Sequence, residues 1–351
     1  MNLIKYNSLL TFCENILSKI GLDDFSMKSV SKGLCESSLR GVDSHGIRLL
    51  PHYVESAIKG RKNPRPKFKL NLSFATCGVL DADNGFGHAA GFKAIEHCIK
   101  IAEKMGLGSV AVKNSSHPGS LASMALNAAR KGYICFAFTH ADSLMKSHNG
   151  ERAFFGTNPI CFAAPRTEKE PYCLDMATSM ISWNKLLQYR DNKESMPKDL
   201  AADQNGNMTI NPSEAVSLLP AGEYKGYGLA SMVEILCGVL TGMAYGTNIP
   251  SMFDSPIDKH RKLGQFYIVL RTDICISKEK FSNKMQEMTN LVRNEPGLNN
   301  KRVKMPGDPE IDTAKKRMSD GIPLDNSTYI SLRKLSEKYN IPLNLTMNNN
   351  S

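Results

Sequence analysis

No stretch of this chain stays apolar for long enough to cross a bilayer, so a membrane-spanning helix is not expected. C-x-x-C pairs are also missing. The nine cysteines are odd in number and widely scattered, which speaks against a disulfide framework or a zinc knuckle and makes a reducing cytoplasm the natural setting. Without H-E-x-x-H or a comparable carboxylate cluster, no catalytic metal is expected. The lack of G-x-S-x-G and of G-x-x-x-x-G-K-[ST] argues against a hydrolase elbow and a P-loop. The opening residues space Leu9, Leu10, Phe12, Ile16, Leu17 and Ile20 along one helix face and include acids, unlike the apolar segment of a signal peptide.

What is present is ordinary for a globular protein: 351 residues, 41% apolar and 22% charged. The formal charge of +10 would suit a polyanion. Its lysines and arginines are spread along the chain, however, and the short clusters KHRK (259–262) and KRVK (301–304) read as solvated surface. Aromatic residues are not interleaved with them, so nucleic acid is not an expected partner. The same field serves an anionic small substrate or a phosphate-bearing cofactor. A non-catalytic basic binding protein remains the competing reading.

The pattern along the chain is helical up to about residue 60, with a helix capped near Asp23 and Asp24 and another from about Leu49 to Gly60. KNPRP then interrupts it. Beyond lie seven strand-like runs (FKLNLSF, CGVLDAD, GSVAVKN, YICFAFTH, ICFAAP, YCLDMA and GQFYIVLR) among helices near 88–105, 120–131, 225–241 and 278–294. Helices near 309–320 and 326–339 follow, then a frayed polar tail, NLTMNNNS. The fold class is α/β, with residues 66–299 as an α/β domain and residues 1–65 and 300–351 as a discontinuous helical domain.

GFGHAAG looks like the glycine turn that cradles a dinucleotide. It reads G-x-G-x-x-x-G at Gly85, Gly87 and Gly91, and the next strand ends in Lys113 and Asn114 without the acid that would hold a ribose hydroxyl. The turn also lies well inside the chain rather than at the first strand of a β-α-β series. Close packing of a loop on its neighbour is the favoured reading, with His88 a secondary candidate.

Chemistry concentrates in three other stretches. RGVDSHGIRLLPHY puts Ser44, His45 and Gly46 at a helix end, with Arg48 able to fork onto a carboxylate and Tyr53 able to close the same pocket. VAVKNSSHPGS delivers His117 on a strand-to-helix turn, and imidazole is the usual acid/base near neutrality. The third runs from FTHADSLM to LLPAGEYKGYGLASM. There, amides beside Gly156, small residues after Asp175 and Lys225 ahead of a helix have the chemistry to hold phosphate oxygens.

Taken in order, RGVDSHGIRLLPHYV, VKNSSHPGSLASMALNAARKGYI, FFGTNPICFAAP, LDMATS, LLPAGEYKGYGLASMVEILCGVLTG, LGQFYIVL and MPGDPE resemble the malate/L-lactate dehydrogenase family that is unrelated to the Rossmann-fold dehydrogenases. The resemblance implies a mostly antiparallel or mixed sheet flanked by helices, a non-Rossmann cofactor domain, NAD or NADP as cofactor, and a homodimer. It implies hydride transfer with a small 2-hydroxy or 2-oxo acid of malate, lactate, ureidoglycolate or sulfolactate type, or reduction of an imino acid. It makes His117 the proton donor or acceptor, has His45 line the same site, and gives Asp142 the orienting of an imidazole or the substrate. Arg48, with Tyr53 and Ser44, would hold the substrate. The dinucleotide would contact Ala141, Asp175, Met176, Ala177, Lys225, Gly307, Asp308 and Pro309. Pro118 after the histidine and Asn184 in SWNKLLQYRDNKE depart from the family's usual pattern.

Overall fold

The computed structural model describes residues 2–167 and 170–346. The last five residues of the polar tail lie outside the described residues. All seven strand-like runs become the seven strands of one mixed sheet. Their spatial order is Lys69–Phe74, Cys77–Asp81, Leu107–Ser115, Leu263–Arg271, Tyr133–Thr139, Ile160–Ala164 and Tyr172–Met176. Every neighbouring pair is antiparallel except Cys77–Asp81 with Leu107–Ser115.

Both faces of the sheet are covered, and alternation along the central strand shows how. Tyr267 and Val269 of Leu263–Arg271 join the core beneath the helices Gly87–Met105 and Ala122–Ala129. Phe266, which precedes them and points the opposite way, packs on the other side with Phe138, Val233 and Cys237 under the helix Tyr224–Glu234 and its π-helical continuation Ile235–Val239.

A second apolar core joins the two ends of the chain. Leu9, Phe12, Ile16 and Leu17 of the helix Tyr6–Lys19 pack with Leu34, Leu50 and Tyr53, and with Leu332 and Leu335 of the helix Asn326–Tyr339. A short antiparallel pair, Asn2–Ile4 with Ile322–Leu324, closes it. The local signals are physical ones: Asp23 accepts the Ser26 amide at 2.9 Å to start Asp24–Leu39, and Asp325 does the same for Thr328 at 2.8 Å.

A smaller five-stranded sheet built from residues 145–218 was not legible in the sequence pattern, because its strands are two or three residues long.

Candidate active site

GFGHAAG occupies the turn of a β-α-β unit, since it links the parallel strand pair of the seven-stranded sheet through Gly87–Met105. The helix N-terminus is nevertheless closed to a phosphate. The Gly87 amide donates to Ser116 Oγ at 2.9 Å, and a Cβ on Gly87 would lie 2.1 Å from the Ser116 carbonyl oxygen. This glycine permits a close approach between helix and loop, and that approach sets the position of the next residue, His117.

The imidazole of His117 is held by Tyr53. The fully buried phenol places its Oη 2.7 Å from Nδ1, and the ring of His45 stacks alongside at 5.6 Å between centroids. Ser44 Oγ lies 2.8 Å from His45 Nδ1, and Asn184 Nδ2 donates to the Ser44 carbonyl at 3.1 Å, tying the helix Trp183–Asn192 to this loop. Burial, then the charges of His45, Lys62 and Arg261, hold His117 well below the ordinary histidine pKa. Burial and Arg48 bring His45 down to about 4. Both rings are therefore neutral at pH 7.

Asp142 does not hydrogen-bond an imidazole. Its carboxylate accepts from Arg261 Nη2 at 2.5 Å and from the Met252 amide at 3.1 Å, and Tyr53 takes the place expected for it on His117. Arg261 is 3% exposed, which corrects the reading of KHRK as surface; its neighbours Lys259, His260 and Lys262 are exposed. Nothing in the local sequence distinguishes it, for its burial depends on Asp142, 119 positions away. Lys62 was missed for a similar reason: it follows Arg61 in a polar turn yet is buried against Tyr53. Arg48 lines a cavity of about 240 Å³ with Asp43, Gln188, Arg317 and Asp325. His88 is fully buried behind Tyr53, 5.7 Å away between rings, with Gly33 and Gly119 against it.

The residues expected at the dinucleotide fall in two places. Asp175, Gly307 and Pro309 line an open cleft of about 390 Å³ together with Arg40, Ser120, Lys304 and Met305. Asp175 accepts from Ser120 Oγ at 2.8 Å and from the Ala122 amide at 2.9 Å, at the start of Ala122–Ala129. The Asp308 carboxylate turns away: burial opposes its ionisation, but Arg293, the Met305 amide and Arg166 hold its pKa at about 2. That side chain anchors the turn and leaves Gly307 and Pro309 to the cleft.

Past Met176 and Ala177, the chain meets the third stretch. Thr178 donates to the Thr157 carbonyl, Ala221 donates to Thr178, and Lys225 is exposed in the first turn of Tyr224–Glu234. Asn158 joins these pieces from beneath, accepting the Ala141 amide and donating to Ala230 and to the buried Glu234. Among the described residues, no cluster of three or more His, Cys, Asp and Glu could hold a metal ion.

A neutral imidazole hydrogen-bonded to a buried phenol is the equipment of an acid/base enzyme. The family model described as malate/L-lactate dehydrogenase matches residues 4–333, and the chain belongs to that family. It is 34% identical over 330 residues to the ureidoglycolate dehydrogenase (NAD(+)) of Escherichia coli K12, covering 93% of each chain. To the malate dehydrogenase of Pyrococcus abyssi it is 32% identical over 351 residues, covering 96% of this chain and 95% of the relative. The crystal structure of malate dehydrogenase from Entamoeba histolytica superposes with a TM-score of 0.91 at 28% identity, over 97% of this chain and 98% of that one.

Proposed function

We propose that this protein is an NAD-dependent oxidoreductase that interconverts a small 2-hydroxy acid and its 2-oxo acid, with His117 as the proton-handling group. The Tyr53–His117 hydrogen bond carries this reading. Oxidation of an alcohol requires the hydroxyl proton to leave as hydride leaves the carbon, and a neutral His117 takes that proton at Nε2. The imidazolium so formed donates Nδ1–H to Tyr53 Oη, which stands 2.7 Å away. In the reverse direction the same proton returns to the substrate oxygen. Arg48 forks onto the substrate carboxylate, His45 and Ser44 line the site, and Asp142 acts through Arg261, which it holds in place.

The cleft suits the cofactor chemically. Asp175 offers a carboxylate to ribose hydroxyls, Arg40 and Lys304 bring positive charge for phosphate, and Gly307, at φ 92°, lets the backbone approach. Ala141, Met176, Ala177, Lys225 and Pro309 complete the contacts. When bound, the nicotinamide supplies the hydride acceptor or donor. NAD is preferred because the ureidoglycolate relative is named for it.

Residues 1–65 with 300–351 act as the helical domain and 66–299 as the cofactor domain. The active form is a homodimer in the cytoplasm. Exposed Leu229, Met232, Ile235 and Val239 along Tyr224–Val239 supply an apolar face for a second copy, and all nine cysteines are free. The test is a panel of 2-oxo acids (pyruvate, oxaloacetate, oxalurate and sulfopyruvate) with NADH and NADPH, followed by nicotinamide absorbance. Turnover with at least one acid supports the reading, and none with any acid or cofactor overturns it.

A further inference from the structure

Lysine in a polar turn normally extends its ammonium to water. Lys62 does the opposite. It is 1% exposed, and Nζ has no hydrogen-bond partner among the described residues. That atom stands 3.5 Å from the centroid of the Tyr53 ring and 5.0 Å from that of Phe86. Its backbone amide donates to the Ser56 carbonyl at 3.1 Å, which folds the turn back on the helix Leu50–Ile58 that carries Tyr53. The neighbouring cations are otherwise engaged. Arg61 donates to the carbonyls of Met252, Ser255 and Pro256, and Arg261 is paired with Asp142.

A buried ammonium without a counter-ion is costly, and two aromatic faces offset part of that cost. We propose that Lys62 is a positioning residue of the active site: seated on the face of Tyr53, it keeps His117 in its neutral, proton-accepting form. The inference rests on the reading of His117 as the proton-handling group.

Two effects act with the same sign. Across space, the ammonium repels a second positive charge on His117. Through Tyr53, it draws electron density from the phenol and makes Oη a poorer acceptor for Nδ1–H, a bond that matters more to the charged imidazolium than to the neutral ring. The groups that face His117 are Tyr53, His45, His88, Lys62 and Arg261. Lys62 itself faces Tyr53, Phe86, His52, His88, His117, Arg61 and Arg261. Burial, then Arg261 and Arg61, pull Lys62 well below the ordinary lysine pKa, and the faces of Tyr53 and Phe86 act against that pull.

The test follows the ring signals of His117 by NMR in histidine-labelled protein, assigned by the resonance lost in His117→Asn, across pH 4–8 in the wild type, Lys62→Met and Lys62→Gln. The titration midpoint of His117 should rise by about one pH unit, a tenfold gain in proton affinity, in whichever neutral variants fold. The acid limb of kcat/KM for oxidation should move up with it. A lysine that only fills space would lower the melting temperature and leave the midpoint in place, and that result would overturn the proposal. A wild type without turnover on any acid would sink the proposed function and leave this titration to be read independently.

Discussion

The two sides of the site are built on opposite principles. Behind the half-buried His117 the packing is close: Gly87 presses on the Ser116 carbonyl, Gly33 and Gly119 press on His88, and Tyr53 is fully buried. Around Asp175 and Gly307 the chain leaves about 390 Å³ open. Glycine serves both sides, but for different ends. At Gly87 the missing Cβ lets two backbones touch, whereas at Gly307 the positive φ turns the chain so that a wall is left beside empty space. Packing density separates the part that positions the imidazole from the part left open as a cleft.

That separation can be broken experimentally. His117→Ala should reduce turnover by about 10²- to 10⁴-fold and leave the dissociation constant for NADH, measured by fluorescence, nearly unchanged; a parallel loss of cofactor affinity would show the two sides to be one unit. Asp142→Asn leaves the buried Arg261 without its counter-ion and should cost about 3 kcal/mol in denaturant unfolding. If stability is unchanged, Arg261 has another anchor. Gly87→Ala must push back Ser116 and should cost about 2 kcal/mol, again with little change in cofactor affinity. Were NADH binding to collapse instead while the fold held, the glycine turn would be the dinucleotide seat after all.

His88→Gln sharpens the contrast through pH. Burial first, then Lys62 and His45, lower the folded-state pKa of His88 to about 3, so its neutral form contributes stability above the unfolded value near 6.5. That contribution is lost as pH falls, at up to about 1.4 kcal/mol per unit between pH 6.5 and 4. Urea unfolding of the variant should show a flatter slope over that window; an identical slope would mean that His88 titrates freely. Arg48→Lys, which keeps the charge and loses the fork, should raise the KM for the 2-hydroxy acid several-fold and leave that for NADH alone. An unchanged KM would remove Arg48 from the substrate.

What was readable beforehand follows from which forces are local. Alternating apolar residues marked all seven long strands, and caps such as Asp23 marked helix starts, because those signals act over a few residues. His117, Tyr53 and Asp175 stood out because reactive groups beside small residues are a local signature too. Arg261 and Lys62 were opaque. Each is an ordinary cation in sequence, and only Asp142 and Tyr53, supplied by distant parts of the fold, turn them inward. The engagement of Asp308 was opaque in the same way, since its side chain answers to Arg166 and Arg293 while Gly307 and Pro309 line the cleft.

The strand pair Asn2–Ile4 with Ile322–Leu324 joins segments about 320 residues apart. At roughly 5–20 residues per second of synthesis, the first helices emerge tens of seconds before the segment that completes their core. Through that interval their apolar faces have one another but lack Leu332 and Leu335, which complete the core. The segment from Ile322 to Leu335 therefore acts as a clasp, and a nascent chain stalled short of it is a natural client for chaperones.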